Sequence, residues 1–297
     1  MDFDCDIILF TTGPSAYAPK RLSEEAKKLN VDLRVIHYKD INITYSNNGM
    51  ELNLKGEKMP IPKGVFLRGL GEDSIYNPLR TAILLWYKSK GSKILNELSY
   101  DKWPSLDKTT QYINLATAGI PVAESYSFAS IEELVKWGKS NYPFIAKDVI
   151  GSCGTGVFKI SGDDELDELL KKFNSNFKVK ALLFQRFLPN AVDLRVVMLG
   201  GEIVGAMKRI AKPGNFLSNF SQGGLVEEYK IGEDSEASSV AVNTVKLFKL
   251  EYCGLDLMRD TQGNWIVLEV NRSCQFEGFE SATKINVAQK VINYLLA

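Results

Sequence analysis

The stretch Cys253–Asn271, CGLDLMRDTQGNWIVLEVN, limits this chain more than any other. Two apolar-rich runs, 254–259 and 265–270, flank the turn-like segment Asp260-Thr261-Gln262-Gly263-Asn264. A side-chain period of two on each side predicts an antiparallel hairpin. With Gln262-Gly263 as the tight loop, Thr261 faces Asn264, and counting back sets Asp256 opposite Glu269. Asn271, two residues on, shares that face. Leu255 and Leu257 then meet Leu268 and Val270 on the other face, as a core. Two carboxylates opposed across a ladder repel. Either they stand on a solvated face, or a hard divalent cation neutralises them. Two carboxylates and an amide oxygen suit magnesium or manganese. The stretch alone leaves both arrangements open.

The chain has 297 residues, enough for two or three units with substantial cores. Its 36 basic and 36 acidic residues cancel, which argues against a broad nucleic-acid footprint or attraction to an anionic membrane. The start, MDFDCDIILF, lacks the basic flank of a signal peptide. No apolar run approaches the ~18 residues that cross a bilayer. Cys5, Cys153, Cys253 and Cys274 are scattered, with no CxxC. That spacing argues against zinc and fits reduced thiols in a cytoplasmic setting. The one histidine, His37, lies in the strand-like LRVIHY, so a histidine-dependent triad is not expected.

In chain order, residues 1–97 read as an α/β unit. Strands are expected at 6–10, 31–38 and 64–68, helices at 21–29 and 78–88, and a hairpin around Asn47-Asn48-Gly49. Arg68 closes a strand where α/β sheets often meet ligands. A second unit spans 98–184. Ser105 is placed to cap a helix running to about Ala118, and Ser130-Ile131-Glu132-Glu133 has the capping-box pattern. The strand 144–149 carries Lys147 and leads into Gly151-Ser152-Cys153-Gly154-Thr155-Gly156, then the strand 157–160. Because this loop joins two strands, it is neither a Walker loop nor a dinucleotide fingerprint. A plain turn and a phosphate cover built from backbone N–H groups both fit it. The third unit, 185–297, pairs 193–199 with 202–209 across Gly200-Gly201, which sets Asp193 against Lys208. Helices are expected at 236–249 and 285–296, on either side of the acidic hairpin.

The order of these pieces resembles the ATP-grasp carboxylate–amine ligases, and among them the RimK-like amino-acid (α-L-glutamate) ligases. The matching segments are Asp107-Lys108 with Gly119-Ile120-Pro121, Phe144-Ile145-Ala146-Lys147, GSCGTGV, and Gln185-Arg186-Phe187-Leu188. Then come Asp193-Leu194-Arg195, Lys208-Arg209, AKPGNFLSNFSQGG, Gly254-Leu255-Asp256, Glu269-Val270-Asn271, and Glu277-Gly278-Phe279-Glu280 through Asn286. The resemblance covers nearly the whole chain.

It implies an α/β (α+β) ATP-grasp fold, with an N-terminal α/β domain and two α+β subdomains enclosing ATP. Lys108 and Lys147 would contact phosphates. Gly151, Ser152, Gly154, Thr155 and Gly156 would form a lid, and the backbone of Gln185, Arg186, Phe187 and Leu188 would hold adenine. Asn190 and Asp193 would lie beside the nucleotide. Asp256, Glu269 and Asn271 would bind magnesium (or manganese), as two ions. Arg209, with Lys208 and Asn219, would face the acyl phosphate and the acceptor; Arg68, Arg195 and Ser273 would meet carboxylate substrates. The implied reaction joins an amino acid, glutamate first, to a carboxylate-bearing peptide or small molecule. A ligase building a peptide natural product or an amino-acid-carrier conjugate, and a non-catalytic ATP-binding module, are the alternatives. The family also suggests a homo-oligomer. Arg186 and Lys208 stand where acids are usual, Cys274-Gln275 replaces Pro-Gly, and Lys284 replaces glycine, which bears on acceptor specificity.

Overall fold

The structure, a computed structural model of the chain, describes residues 3–69, 76–149, 156–212 and 224–297. The first unit is a parallel sheet. β1 (Cys5–Thr11) carries the continuous apolar run that burial on both faces requires, and α1 (Tyr17–Lys28) follows, ending in Lys27 and Lys28 where its dipole favours cations. β2 (Leu33–His37) leads to a small antiparallel sheet of β3 (Ile41–Ser46), β4 (Gly49–Leu54) and β5 (Glu57–Lys58). Ser46 pairs with Gly49, so the turn falls at Asn47-Asn48 as the sequence predicts. β6 (Pro62–Leu67), α2 (Asn77–Ser89) and β7 (Lys93–Ile94) complete the main sheet, ordered β2-β1-β6-β7.

After α3 (Glu97–Lys102), the helix α4 (Lys108–Thr117) is capped by Asp107 and not by Ser105. The Asp107 carboxylate accepts from the Thr110 N–H and Oγ1, each at 2.9 Å, so Lys108 opens the helix. The central sheet, β10-β9-β11-β8, is built from β8 (Ser125–Tyr126), β9 (Phe144–Asp148), β10 (Val157–Ile160) and β11 (Leu182–Arg186). It is covered by α5 (Ile131–Gly138), α6 (Asp163–Lys172) and α7 (Asn176–Val179) around Leu134, Phe144, Leu166 and Phe184.

The third sheet is antiparallel, ordered β14-β13-β12-β15-β16. Its strands are β12 (Val192–Leu199), β13 (Glu202–Ile210), β14 (Leu225–Tyr229), β15 (Tyr252–Arg259) and β16 (Trp265–Asn271). One face packs on α8 (Ser235–Phe248) through Leu194, Val196, Leu255 and Val267. The other packs on α9 (Glu277–Thr283) and α10 (Val287–Leu296). Those same helices bury Ile7, Leu9 and Phe66 of the first sheet, so the two outer sheets share one core. Asn96 pins the junction, accepting from the Glu251 and Tyr252 N–H groups at 2.8 and 2.9 Å and donating to the Tyr252 carbonyl at 2.7 Å.

Two bulges change the registers expected from counting. In β12–β13 the shift between Val197 and Met198 pairs Asp193 with Arg209, not with Lys208. In β15–β16 the ladder closes at Arg259 opposite Trp265, one residue off the expected loop, and a second shift after Asp256 restores it. Val267, not Leu268, therefore opposes Leu257 in the core.

Candidate active site

Asp256 of β15 stands directly across from Glu269 of β16, and Asn271 lies opposite Gly254 on the same side. The bulge explains how an apolar residue and an acid come to share the cleft face. Strict alternation would send Leu268 and Glu269 to opposite faces. Instead Ile266 and Leu268 join Tyr112 and Leu183, Val267 and Val270 enter the α8-side core, and Glu269 comes within 3.7 Å of the Lys108 Nζ.

Asp256 is buried and anchors a chain of four charges. Arg195 holds it through both carboxylate oxygens, by Nε to Oδ1 and by Nη2 to Oδ2 at 2.9 Å. Arg209 Nη2 reaches Oδ2 at 3.0 Å, and Arg209 also grips Asp193 in a two-point bond at 2.6 and 2.9 Å. Burial pushes the Asp256 carboxyl up, but Arg195 and Arg209 outweigh it and hold the group below the usual carboxylate range. Gly254 makes this arrangement possible: a Cβ there would meet the Cys274 Cβ at 2.6 Å and the Arg195 Cδ at 3.0 Å.

Lys147 comes from the opposite sheet, on β9, and faces the same acids. Burial of its ammonium pulls it down to about 8, against the field of Glu269 and Asp256, which holds the proton on. Around it Tyr112, Leu188, Met258 and Leu268 make an apolar wall between the second and third sheets. The Tyr112 hydroxyl donates to the Leu268 carbonyl at 2.9 Å, which ties α4 to β16. Tyr112 and Met258 were not singled out from the sequence. The signal for Tyr112 was present, since it lies one helical turn after Lys108.

A family model for the RimK-like ATP-grasp domain matches residues 101–295. The chain belongs to the RimK-like ATP-grasp family. It is thus an ATP-grasp ligase, of a family that uses ATP with magnesium. It is 30% identical over 298 residues to a probable α-L-glutamate ligase of Hydrogenovibrio crunogenus, covering 97% of this chain and 94% of that one. It is 31% identical over 297 residues to the corresponding Legionella pneumophila protein, again covering 97% and 94%. Among solved structures, the ATP-grasp ligase PsnB complexed with a phosphomimetic precursor variant, Mg and ADP superposes with a TM-score of 0.75 at 20% identity, covering 99% of each chain. A RimK domain protein from Sphaerobacter thermophilus gives 0.71 at 15% identity, covering 98% of this chain and 100% of that one.

The donor set of this RimK-like chain suits a hard cation. Asp256 Oδ2 accepts two guanidinium N–H groups, whereas Oδ1 accepts one and keeps a lone pair. Glu269 is only partly buried, and Asn271 adds an amide oxygen. Among the described residues no three His, Cys, Asp or Glu side chains converge on a point that could hold a metal ion.

The other expected site residues have these surroundings. Lys208 lies on the far face of β13, its Nζ 5.5 Å from the Tyr229 ring centre, so the structure does not bring it to Arg209. Arg186 is exposed and its Nε pairs with Glu124 Oε2 at 2.7 Å. Gln185 is buried, its amide donating to Ser125 Oγ at 2.7 Å. Phe187 lies under Lys159 Nζ at 4.2 Å, and the Asn190 side chain accepts from the Val192 N–H at 3.0 Å. Asp193 accepts from Arg209 Nε and Nη2 at 2.6 and 2.9 Å. Arg68 Nη2 donates to the carbonyls of Ser273 and Cys274, both at 3.1 Å. Gly156 has a positive φ of 77° and closes against Asp148. Gly151, Ser152, Gly154, Thr155 and Asn219 lie outside the described residues. No helix among the described residues is long and apolar enough to cross a membrane.

Proposed function

We propose that this ligase activates a carboxylate as an acyl phosphate at the expense of ATP and joins it to the α-amino group of glutamate, releasing ADP and phosphate. The observation that carries this reading is the Asp256–Glu269 pair set against Lys108 and Lys147, with Asp256 gripped by Arg195 and Arg209. Four cationic side chains (Lys108, Lys147, Arg195 and Arg209) gather around three carboxylates, those of Asp193, Asp256 and Glu269. That surplus of positive charge suits a triphosphate and an acidic acceptor.

In this reading Lys147 and Lys108 neutralise the phosphates, and Leu188, Met258 and Leu268 bed the adenine beside the 185–188 backbone. Asp256 through its Oδ1, Glu269 and Asn271 would hold magnesium, as two ions, and magnesium there would supply charge neutralisation for the transferring phosphoryl group. Arg209, kept rigid by Asp193, stabilises the acyl phosphate and the anionic intermediate that amine attack produces. Arg195 is a positioning residue, since it fixes the orientation of Asp256. The family resemblance further implies a lid from Gly151–Gly156 and an acceptor contact from Asn219; of these, only Gly156 lies among the described residues. Glutamate is favoured by the full-length likeness to probable α-L-glutamate ligases; a peptide-borne carboxylate as acceptor fits the PsnB-like fold.

Glu269→Gln keeps the shape of the side chain and removes one metal-binding charge. The expected outcome is a loss of amino-acid-dependent ADP release of about 100-fold or more, with an unchanged circular dichroism spectrum and melting point. Wild-type turnover in a well-folded Glu269→Gln protein would refute the metal assignment. Mass spectrometry of products, with all amino acids offered beside acidic peptides, identifies the donor and the acceptor.

A further inference from the structure

Nine arginines occur in the chain, and all lie among the described residues. Six of them, Arg21, Arg34, Arg186, Arg195, Arg209 and Arg259, pair with carboxylates. The other three, Arg68, Arg80 and Arg272, are buried, have no carboxylate partner among the described residues, and stand in one neighbourhood. Arg80 and Arg272 both stack on the Tyr100 ring, at 5.0 and 4.1 Å, and both donate to the Pro104 carbonyl, at 2.8 and 3.3 Å. The Tyr100 hydroxyl donates to the Leu67 carbonyl at 3.1 Å, which sets this stack beside Arg68.

Unpaired polar atoms gather in the same place. Only four buried side-chain polar atoms among the described residues lack a hydrogen-bond partner, and three are Tyr38 Oη, Arg68 Nη1 and Ser99 Oγ. Tyr38 and Arg68 directly follow β2 and β6, at the carboxyl edge of the parallel sheet, where α/β folds take ligands. The Ser99 carbonyl accepts from Arg272 Nη1 at 3.4 Å. Buried donors left without partners cost free energy, and so do buried cations without an anion. An arriving anion relieves both.

We propose that Arg68, Arg80 and Arg272, with the Tyr38 hydroxyl, form an anion subsite that holds a second carboxylate of the acceptor. The acceptor is then an acidic molecule, such as a peptide carrying glutamate or aspartate, with one carboxylate reacting near Arg209 and another held here. Arg68 links the two places, because its other nitrogen already braces the Ser273–Cys274 backbone that follows the metal-site residue Asn271. The proposal rests on the ligase reading above.

Isothermal titration of the full chain with Mg·ADP present tests it, using L-glutamyl-L-glutamate, L-glutaminyl-L-glutamine and inorganic phosphate as probes. Wild type binds the acidic dipeptide at least tenfold more tightly than the neutral one. Tyr38→Phe removes only an unpaired hydroxyl, so its melting point stays level or rises. The same change weakens the acidic dipeptide about tenfold and leaves Mg·ADP affinity unchanged, since a hydrogen bond to a charged group is lost. Arg80→Gln acts in the same direction. Equal affinity for both dipeptides, wild-type dipeptide binding by both variants, or binding of phosphate without the dipeptide would overturn the subsite. Failure of wild type to bind Mg·ADP would sink the ligase reading first, and the subsite with it.

Discussion

Lys147 shows how one side chain couples burial to ligand charge. Its ammonium is pulled down to about 8 by desolvation, although Glu269 and Asp256 favour the charged form. In the proposed site a triphosphate would bind the protonated form, so bound ATP would raise the group again. Below pH 8 the free protein already carries the proton and affinity is level. As pH rises through about 8 that proton must be taken up on binding, and affinity falls by up to tenfold per pH unit until the bound-state value is reached. Titrating ATP from pH 7.5 to 9.5, above the last ionisation of its phosphates, reads this directly. Lys147→Met should bind more weakly with a flat profile; a flat wild-type profile over that range would sink the role given to Lys147. The place of Lys147 on a strand is legible in the sequence. The pairing of Asp193 with Arg209 was not, because it depends on a bulge that no residue type announces.

At the level of elements, turns marked by Asn and Gly are readable, while irregular ladders and one cap are not. Asn47-Asn48-Gly49 and Gly200-Gly201 mark their hairpins because they accept turn conformations that β-branched residues resist. β14 escaped notice as a short polar edge strand, LVEEY, and α9 because no side chain caps its start. The Asp256–Glu269 pairing was foreseen by counting only because the turn was misplaced by one residue and the bulge at Leu268 put it back. The cap of α4 was assigned two residues early: Ser105 has the right chemistry, but Asp107 has the two bonds. That difference carries a consequence, since Lys108 is the first residue of the helix that Asp107 starts. Asp107→Ala should cost about 1 kcal/mol in urea unfolding, with an unchanged slope, and weaken ATP binding. Asp107→Asn, which still accepts from the Thr110 N–H, should recover most of the stability. Equal losses in both variants would show that the carboxylate charge, not the cap, is what matters.

Across the whole molecule, the distribution of cores says which parts must open together. The helix α10, at the end of the chain, buries Ile7 and Phe66 of the first sheet along with Val197 and Met207 of the third, and Lys93 Nζ donates to the Tyr294 carbonyl at 2.5 Å across the same seam. Exposing either outer sheet thus exposes the apolar face of the other. The central sheet differs. Its core around Phe144 and Phe184 is closed on itself by α5 and α6, and it meets the third sheet mainly through the small cluster of Tyr112, Leu183 and Ile266. Backbone amides of β9, β10 and β11 should therefore exchange with solvent through an opening that costs less than global unfolding, while β1, β6, β12 and β15 share the global value. In the proposed site Mg·ATP would bridge Lys147 of the central sheet and Glu269 of the third, so it should slow exchange in β9 and β11 most, by up to the mass-action factor set by its concentration over Kd. Hydrogen exchange read by mass spectrometry, with and without Mg·ATP, checks both statements. If β1 and β6 exchange in a step separate from β12 and β15, the shared core does not bind the outer sheets into one cooperative unit. If ATP protects the outer sheets and leaves β9 bare, the nucleotide does not sit against Lys147.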